Sequence, residues 1–125
     1  IADAAFAGQR HAALEELRWG MATGMPPTFV TSAFAGSARG LARYLGARAG
    51  AREADLARDV GVPPWKLKYV REQSRDWTEE GLSAAIRAVA QADADIKGAA
   101  SDASYTLERL VLTVTGLRSP RSAVQ

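Results

Sequence analysis

The chain carries apolar residues at intervals of three and four along most of its length. No segment shows the sustained alternation of apolar and polar residues that marks a half-buried strand. The clearest helical stripes are Ala13, Leu14, Leu17 and Met21; Val30, Phe34, Leu41 and Leu45; Leu82, Ala85, Ile86, Val89 and Ile96; and Leu107, Leu110, Val111 and Val114. Alanine, the strongest helix former, occupies 26 of the 125 positions. The sequence therefore predicts an all-α fold, a compact bundle of six or seven helices.

Glycine, proline and capping residues divide this pattern into separate helices. The predicted helices cover about 1–7, 9–23, 27–49, 53–60, 63–76, 78–98 and 102–116. Gly24 is expected as a left-handed cap, and Gly61 as the end of the short helix over 53–60. Thr78 and Asp102 are expected as N-caps. One domain is predicted over 1–117, followed by a disordered tail over 118–125.

Large apolar side chains define the expected core. Trp19, Trp65 and Trp77 are each predicted to anchor it, because burying an indole removes a large area from water. Tyr69 and Ile86 are expected to point inward, on the phases assigned to their helices. A tryptophan on an exposed apolar face would instead indicate a protein interface.

Composition excludes several classes of function. With no cysteine, the chain has no disulfide, iron–sulfur cluster, cysteine zinc site or thiol nucleophile. Its one histidine, His11, is too few for a histidine-rich metal site. No glycine-rich loop followed by Lys-Ser or Lys-Thr is present to hold ATP phosphates. Acidic neighbours such as Glu15 and Glu16 point in different directions on a helix, so they are expected on solvated faces. The sequence predicts no catalytic residue, no metal ligand and no cofactor.

Charge and hydropathy favour a protein of the cytoplasm. The formal net charge is +2, a balance that does not by itself indicate nucleic-acid binding. Pro26 and Pro27 interrupt the longest uncharged run, residues 19–38, which is expected to join two helices rather than span a membrane. The chain opens on Ile1 with no signal-like segment after it, so it is expected to be a cytoplasmic fragment of a longer protein.

The most specific local pattern lies between residues 54 and 70. Ala57, Gly61, Leu67 and Val70 have the spacing of a helix–turn–helix unit. Such a unit needs a small residue at the helix crossing, glycine in the turn and apolar residues inside the second helix. The second helix also carries four cations suited to phosphate contact: Lys66, Lys68, Arg71 and Arg75. Two interspersed carboxylates and the scarcity of base-reading amides favour a structural corner instead. The residues alone leave open both a DNA-binding regulatory domain centred on 53–76 and an architectural corner.

Three segments taken together resemble one known family. They are LARDVGVPPWKL at 56–67, AVAQADADIKG at 88–98 and YTLERLVL at 105–112. The opening IADA, the ALEEL at 13–17 and the long helix over 34–45 agree with them in order and spacing. In this combination the chain, except for its tail, resembles the C-terminal domain of the delta subunit of the bacterial DNA polymerase III clamp loader.

The resemblance implies a function without local chemistry. It implies a helical collar domain that associates with the collar domains of other clamp-loader subunits, in an assembly that loads the sliding clamp onto primed DNA during replication. The clamp itself is expected to be contacted through an N-terminal region outside this chain, and DNA only indirectly or weakly. No membrane partner is expected, and the nucleoid-associated replication machinery of the bacterial cytoplasm is the expected location.

The same resemblance assigns provisional roles to two sets of residues. Small side chains are expected to allow close helix packing, inward or onto neighbours, at Ala33, Ser37, Ala38, Ala84, Ala85, Ala88 and Ala92. Lys97, at the start of the loop 97–104, joins the four cations of the helix–turn–helix unit as a candidate DNA-proximal residue.

Overall fold

The computed structural model describes residues 1–47, 52–98 and 102–118, and in these ranges it contains seven α-helices and no strand. The helices are α1 (Ala2–Phe6), α2 (Arg10–Ala22), α3 (Pro27–Ala47), α4 (Glu53–Val60), α5 (Leu67–Ser74), α6 (Glu79–Lys97) and α7 (Ala103–Leu117), with a 3-10 turn at Pro64–Lys66 before α5. The all-α prediction is confirmed. The largest difference is in the segment predicted as one helix over 63–76, which consists of the 3-10 turn followed by α5 and stops at Ser74. The other described ends agree with the predicted ranges within one or two residues. The connection between the third and fourth predicted helices, at 48–51, and the tail from residue 119 lie outside the described residues.

Local sequence signals set the helix ends where they were expected. Gly24 and Gly61 both have left-handed backbone, with φ of +88° and +87°, a conformation that costs glycine little. The Thr78 hydroxyl accepts a hydrogen bond from the Gly81 amide at 2.9 Å, and the Asp102 carboxylate accepts one from the Tyr105 amide at 3.2 Å. These side chains satisfy backbone donors that the first turn of each helix leaves unpaired.

The core forms where α3 packs against α6, and where α7 packs against both α6 and α2. Its largest fully buried side chains are Phe6, Leu17, Phe34, Leu41, Leu67, Leu107, Val111 and Val114. Phe6 lies between the rings of Phe34 and Trp77, at centroid distances of 5.8 and 5.5 Å. The Trp77 indole N–H donates to the Phe6 carbonyl at 2.9 Å. This contact fixes the short α1 against the start of α6.

Four of the residues predicted to be buried lie on the surface. Trp19 and Trp65 are 69% and 67% exposed, so only Trp77 among the tryptophans anchors the core. Trp19 stands two positions after the buried Leu17, and residues two apart on a helix do not face the same way. Tyr69, 52% exposed, has the same relation to Leu67.

Ile86 is the fourth correction, at 42% exposed. The inward stripe of α6 runs through Leu82, Ala85, Val89 and Ala92. Ile86 lies four residues after Leu82 and three before Val89, which places it at the edge of that stripe rather than in its centre. It therefore faces the space between α6 and α3.

Candidate protein-interaction site

A shallow groove runs along the seam between α3 and α6. It consists of two adjoining depressions of about 300 and 250 Å³, and Ile86 lines both. We call it the α3–α6 groove and define it by Thr31, Ser32, Ala35, Ala38, Arg39, Ala42, Leu45 and Gly46 of α3 with Glu79, Leu82, Ser83, Ile86, Val89, Ala90, Asp93 and Lys97 of α6. The helices are antiparallel here, because Thr31 near the start of α3 meets Asp93 near the end of α6.

Small side chains give the groove its shape. Ser32, Ala35, Ala42 and Gly46 follow one another at helical spacing along α3, and none has a side chain large enough to fill the seam. A Cβ atom added at Gly46 would meet nothing within 4 Å. Since helix axes approach as closely as the side chains between them allow, this stripe leaves room for another helix. Ile86 is the large apolar side chain standing in that room.

The end of the groove near the start of α3 is closed by a polar cluster. The buried Thr31 hydroxyl donates to the Asp93 carboxylate at 2.7 Å, and the Lys97 ammonium lies 2.7 Å from the other oxygen of Asp93. The hydrogen bond from Lys97, followed by that from Thr31, lowers the pKa of Asp93 below its ordinary value of 3.8. Asp93 is therefore ionised throughout the physiological pH range and fixes the seam at this end.

Four of the predicted DNA-proximal cations lie between the turn before α5 and Arg75, directly after that helix. The side chain of each makes an ion pair, a hydrogen bond or a ring contact within the chain. Lys66 lies 3.7 Å from Asp3, Lys68 lies over the Tyr69 ring, Arg71 donates to the Tyr44 hydroxyl at 3.3 Å and Arg75 pairs with Glu72 at 3.2 Å. Lys97 is not part of this group. Lys97 lies near Thr31 of α3, and Arg71 lies near Tyr44 of the same helix. Thr31 and Tyr44 are thirteen residues apart, or about 20 Å along α3.

The helix–turn–helix unit is present, but its second helix is packed onto the body. Leu67 and Val70 are buried, and the buried Gln73 side chain donates to the Asp3 carbonyl of α1 at 3.0 Å. Arg118, beyond α7, donates to the Gln73 carbonyl at 3.3 Å. Contacts from both α1 and the end of α7 hold α5 in place, which favours an architectural corner over a DNA-reading helix.

The groove was not identified from the sequence. Of the small residues expected to allow close packing, Ala38, Ala85 and Ala92 are buried and serve the core. Ala38 also lines the groove, together with the less buried Ser32, Ala35 and Ala42 at neighbouring positions of α3. The signal that identifies it is the run of small residues at intervals of three and four through Ser32 and Ala35.

The described part of the chain offers neither a metal site nor a membrane span. In residues 1–47, 52–98 and 102–118, no three His, Cys, Asp or Glu side chains are grouped so as to hold a metal ion. The helices in those ranges are also too short or too polar to cross a membrane.

Comparisons with known proteins found one matching family and a similar solved structure. Residues 1–114 match the family described as DNA polymerase III delta subunit, C-terminal domain. Among solved structures, the chain is similar to the Bacillus subtilis DNA clamp loader delta protein (YqeN), with a TM-score of 0.77 and 20% sequence identity. The match covers 92% of this chain and 34% of that one, so the chain spans about a third of that protein. At this identity the likeness concerns the fold. No curated protein matched the sequence.

Proposed function

The chain belongs to the family formed by the C-terminal domains of DNA polymerase III delta subunits, and from that premise we propose that it is the module through which a clamp-loader delta subunit assembles with its neighbours. In this role it joins the helical collar of a bacterial clamp loader and so supports loading of the sliding clamp onto primed DNA in the cytoplasm. The work is done by surfaces that pack, and it calls for no reacting side chain or cofactor.

The observation that carries the proposal is the α3–α6 groove with Ile86 in its centre. Between Thr31 and Gly46 the groove follows about 22 Å of α3, which is enough for about four turns of a partner helix. Covering Ile86 removes apolar surface from water, and the small residues around it let a neighbouring backbone come close. We propose that a helix of an adjacent collar domain lies in this groove.

The distribution of polar residues supports the same reading. Ala35, Ile86 and Ala90 give the groove an apolar lining, and of its four charged residues all but Arg39 stand at its ends. Glu79 lies at one end, and the Asp93–Lys97 pair lies at the other. An apolar centre surrounded by polar groups is the usual anatomy of a protein interface.

The test is co-purification of this chain with the collar domains of the other clamp-loader subunits, followed by size exclusion well above micromolar concentration. Ile86→Arg is expected to abolish co-elution, because it places a charge in the apolar centre. Leu112→Arg is the matched control: Leu112 is 43% exposed, close to the 42% of Ile86, but it lies on α7 away from the groove. The control is expected to co-elute normally.

Each outcome of this experiment has a definite meaning. Failure of the unmodified chain to associate with any collar domain overturns the assembly role. If Leu112→Arg abolishes association while Ile86→Arg does not, the interface lies on the α7 side and the groove is the wrong surface. Circular dichroism melts of both variants establish that they are folded.

Contact with DNA through the five predicted cations is a separate proposal. Lys66, Lys68, Arg71 and Arg75 lie within ten residues of one another in the sequence, and the contact suited to such cations is with the phosphate backbone. Lys66→Ala combined with Lys68→Ala tests it in a gel shift at physiological salt, and Arg87→Ala, at an exposed arginine of α6 outside the predicted set, is the control. If the unmodified chain, the double variant and the control variant all retard the DNA equally, the proposal is contradicted.

A further inference from the structure

A second cavity opens on the other side of α3, toward the α4–α5 corner. Its volume is about 340 Å³, within the range of small-ligand sites. Three glycines line it: Gly36 and Gly40 on α3 and Gly61 in the corner. A Cβ atom at Gly36 would meet nothing within 4 Å, and one at Gly40 would meet only the edge of Val60 at 3.8 Å. The absence of side chains at these positions keeps the cavity open and its backbone accessible.

The charged residues that line this cavity are mostly basic. Arg39, Arg43 and Lys66 face it together with a single carboxylate, Asp3, which lies 3.7 Å from Lys66. The Arg43 guanidinium lies beside Gly61, at 3.5 Å from where a Cβ atom of that glycine would stand. Three cations against one anion give the cavity a positive potential.

The two arginines differ from most exposed cations of the chain. Arg18, Arg75 and Lys97 each have a carboxylate within 4 Å. Among the described side chains, neither Arg39 nor Arg43 has such a partner or a hydrogen bond. They are also four residues apart on one helix, where like charges repel each other. A bound anion relieves that repulsion.

We infer that this cavity, which we call the α3–α5 basic cavity, is a binding site for a phosphate group. Arginine presents paired N–H donors that match the oxygens of a phosphate. Arg43 and Arg39 supply those donors from one side and Lys66 from the other, while the glycines admit the sugar or strand that carries the phosphate. The phosphodiester of a single DNA strand and the phosphate of a free nucleotide share this chemistry.

The site is independent of the proposed interface, apart from one shared residue. Arg39 lies on the ridge of α3 and lines both the α3–α6 groove and the basic cavity. Arg43 lines the cavity, and Ile86 lines the groove. Variants at these two positions therefore separate phosphate binding from subunit association.

The experiment measures binding of a fluorescein-labelled single-stranded oligonucleotide by anisotropy, and of ATP by calorimetry, to the 125-residue chain and to Arg43→Gln. We expect Arg43→Gln to bind the occupying ligand about tenfold more weakly, from loss of a charge-assisted contact. If the ligand is the oligonucleotide, the salt dependence of log K should also fall by about 0.7. Arg87→Gln makes the same charge change on the exposed face of α6, away from the cavity, and is the control.

Each pattern of binding either supports the site or overturns it. Weakened oligonucleotide binding in Arg43→Gln, with Arg87→Gln unchanged, supports the site and identifies a DNA strand as its ligand. The same pattern with ATP alone supports the site with a free nucleotide as ligand. No binding of either ligand, or equal weakening by both variants, overturns the inference. Ile86→Arg is expected to bind the phosphate ligand normally, so loss of assembly and loss of phosphate binding are distinguishable.

Discussion

Replacing Trp77 with phenylalanine tests whether one tryptophan anchors the fold while the other two do not. Trp77 is 5% exposed, and its indole N–H donates to the Phe6 carbonyl at 2.9 Å. Phenylalanine keeps a ring at this position but removes the donor and part of the ring volume. The same substitution at Trp19 and Trp65 makes the identical chemical change at sites that are 69% and 67% exposed.

The expected loss for Trp77→Phe has two parts. A buried carbonyl deprived of its donor costs about 1–3 kcal/mol, and each methylene-sized group lost from the core costs about 0.8 kcal/mol. The sum is about 2–4 kcal/mol in the free energy of unfolding. Trp19→Phe and Trp65→Phe are expected to change it by less than about 0.5 kcal/mol. Domains of this kind have stabilities of about 5–15 kcal/mol, so all three variants should still fold.

Urea denaturation followed by the helical circular dichroism signal measures these differences. The midpoint for Trp77→Phe should fall while the slope stays constant, because the surface exposed on unfolding is nearly unchanged. A loss below about 0.5 kcal/mol at Trp77 would refute the anchoring role. Equal losses at all three positions would show that exposure in the fold does not govern their contribution.

Three further changes test the caps and the polar seam. Gly61→Ala should destabilise the chain by about 1–2 kcal/mol in a urea titration, because φ is +87° at this position and alanine resists it; an unchanged midpoint would contradict the left-handed cap. Thr78→Ala should cost about 1 kcal/mol by the same measurement and Thr78→Ser much less, since serine restores the hydroxyl that accepts from the start of α6; equal losses would exclude capping as the cause. The folded-state pKa of Asp93 is lowered chiefly by its hydrogen bond from Lys97, so its contribution to stability is present above 3.8 and is lost as pH falls through the lowered value. In thermal melts, Asp93→Asn should therefore have a lower melting temperature than the unmodified chain at neutral pH. The difference between the two melting temperatures should become smaller in strong acid, and a difference that does not depend on pH would contradict the assignment.

Features encoded by adjacent residues were predictable from the sequence, and features made by distant helices were not. Thr78 and Asp102 act as N-caps through the amide three residues ahead, so the local sequence contains the whole interaction. Gly61 ends α4 for an equally local reason. These signals, with the apolar stripes, were sufficient for the number of helices and nearly all their ends.

Exposure of the large side chains required the tertiary structure. Trp19 and Trp65 were assigned to the core by size, but burial follows the face of the helix on which a residue stands. Ile86 has a phase between core and surface, so its position depends on how closely α3 approaches α6. The two sides of the groove are separated by about fifty residues of sequence, and no single segment shows the groove.

For the predicted cations too, the position along the helix follows from the local sequence, whereas the contacts depend on the tertiary structure. Their places on α5 follow from helical spacing, but the partners that occupy their charges come from elsewhere: Asp3 from α1 for Lys66 and Tyr44 from α3 for Arg71. The sequence places Arg39 and Arg43 four residues apart on α3, but it does not show the cavity that they line. Its other wall comes from the corner around Gly61.

The two hydrogen bonds that reach α1 from the other side of the chain determine how that helix opens. α1 has five residues, too few to be stable as an isolated helix in water. The side chains of Gln73 and Trp77 donate to its Asp3 and Phe6 carbonyls across about seventy residues of sequence. Short helices with few contacts ordinarily open locally and exchange their amide hydrogens early, but this one can separate only when the α5–α6 region releases it. The Ala5 and Ala7 amides, which donate to the Ile1 and Asp3 carbonyls, should therefore exchange with solvent deuterium as slowly as those of the core, reporting global rather than local opening.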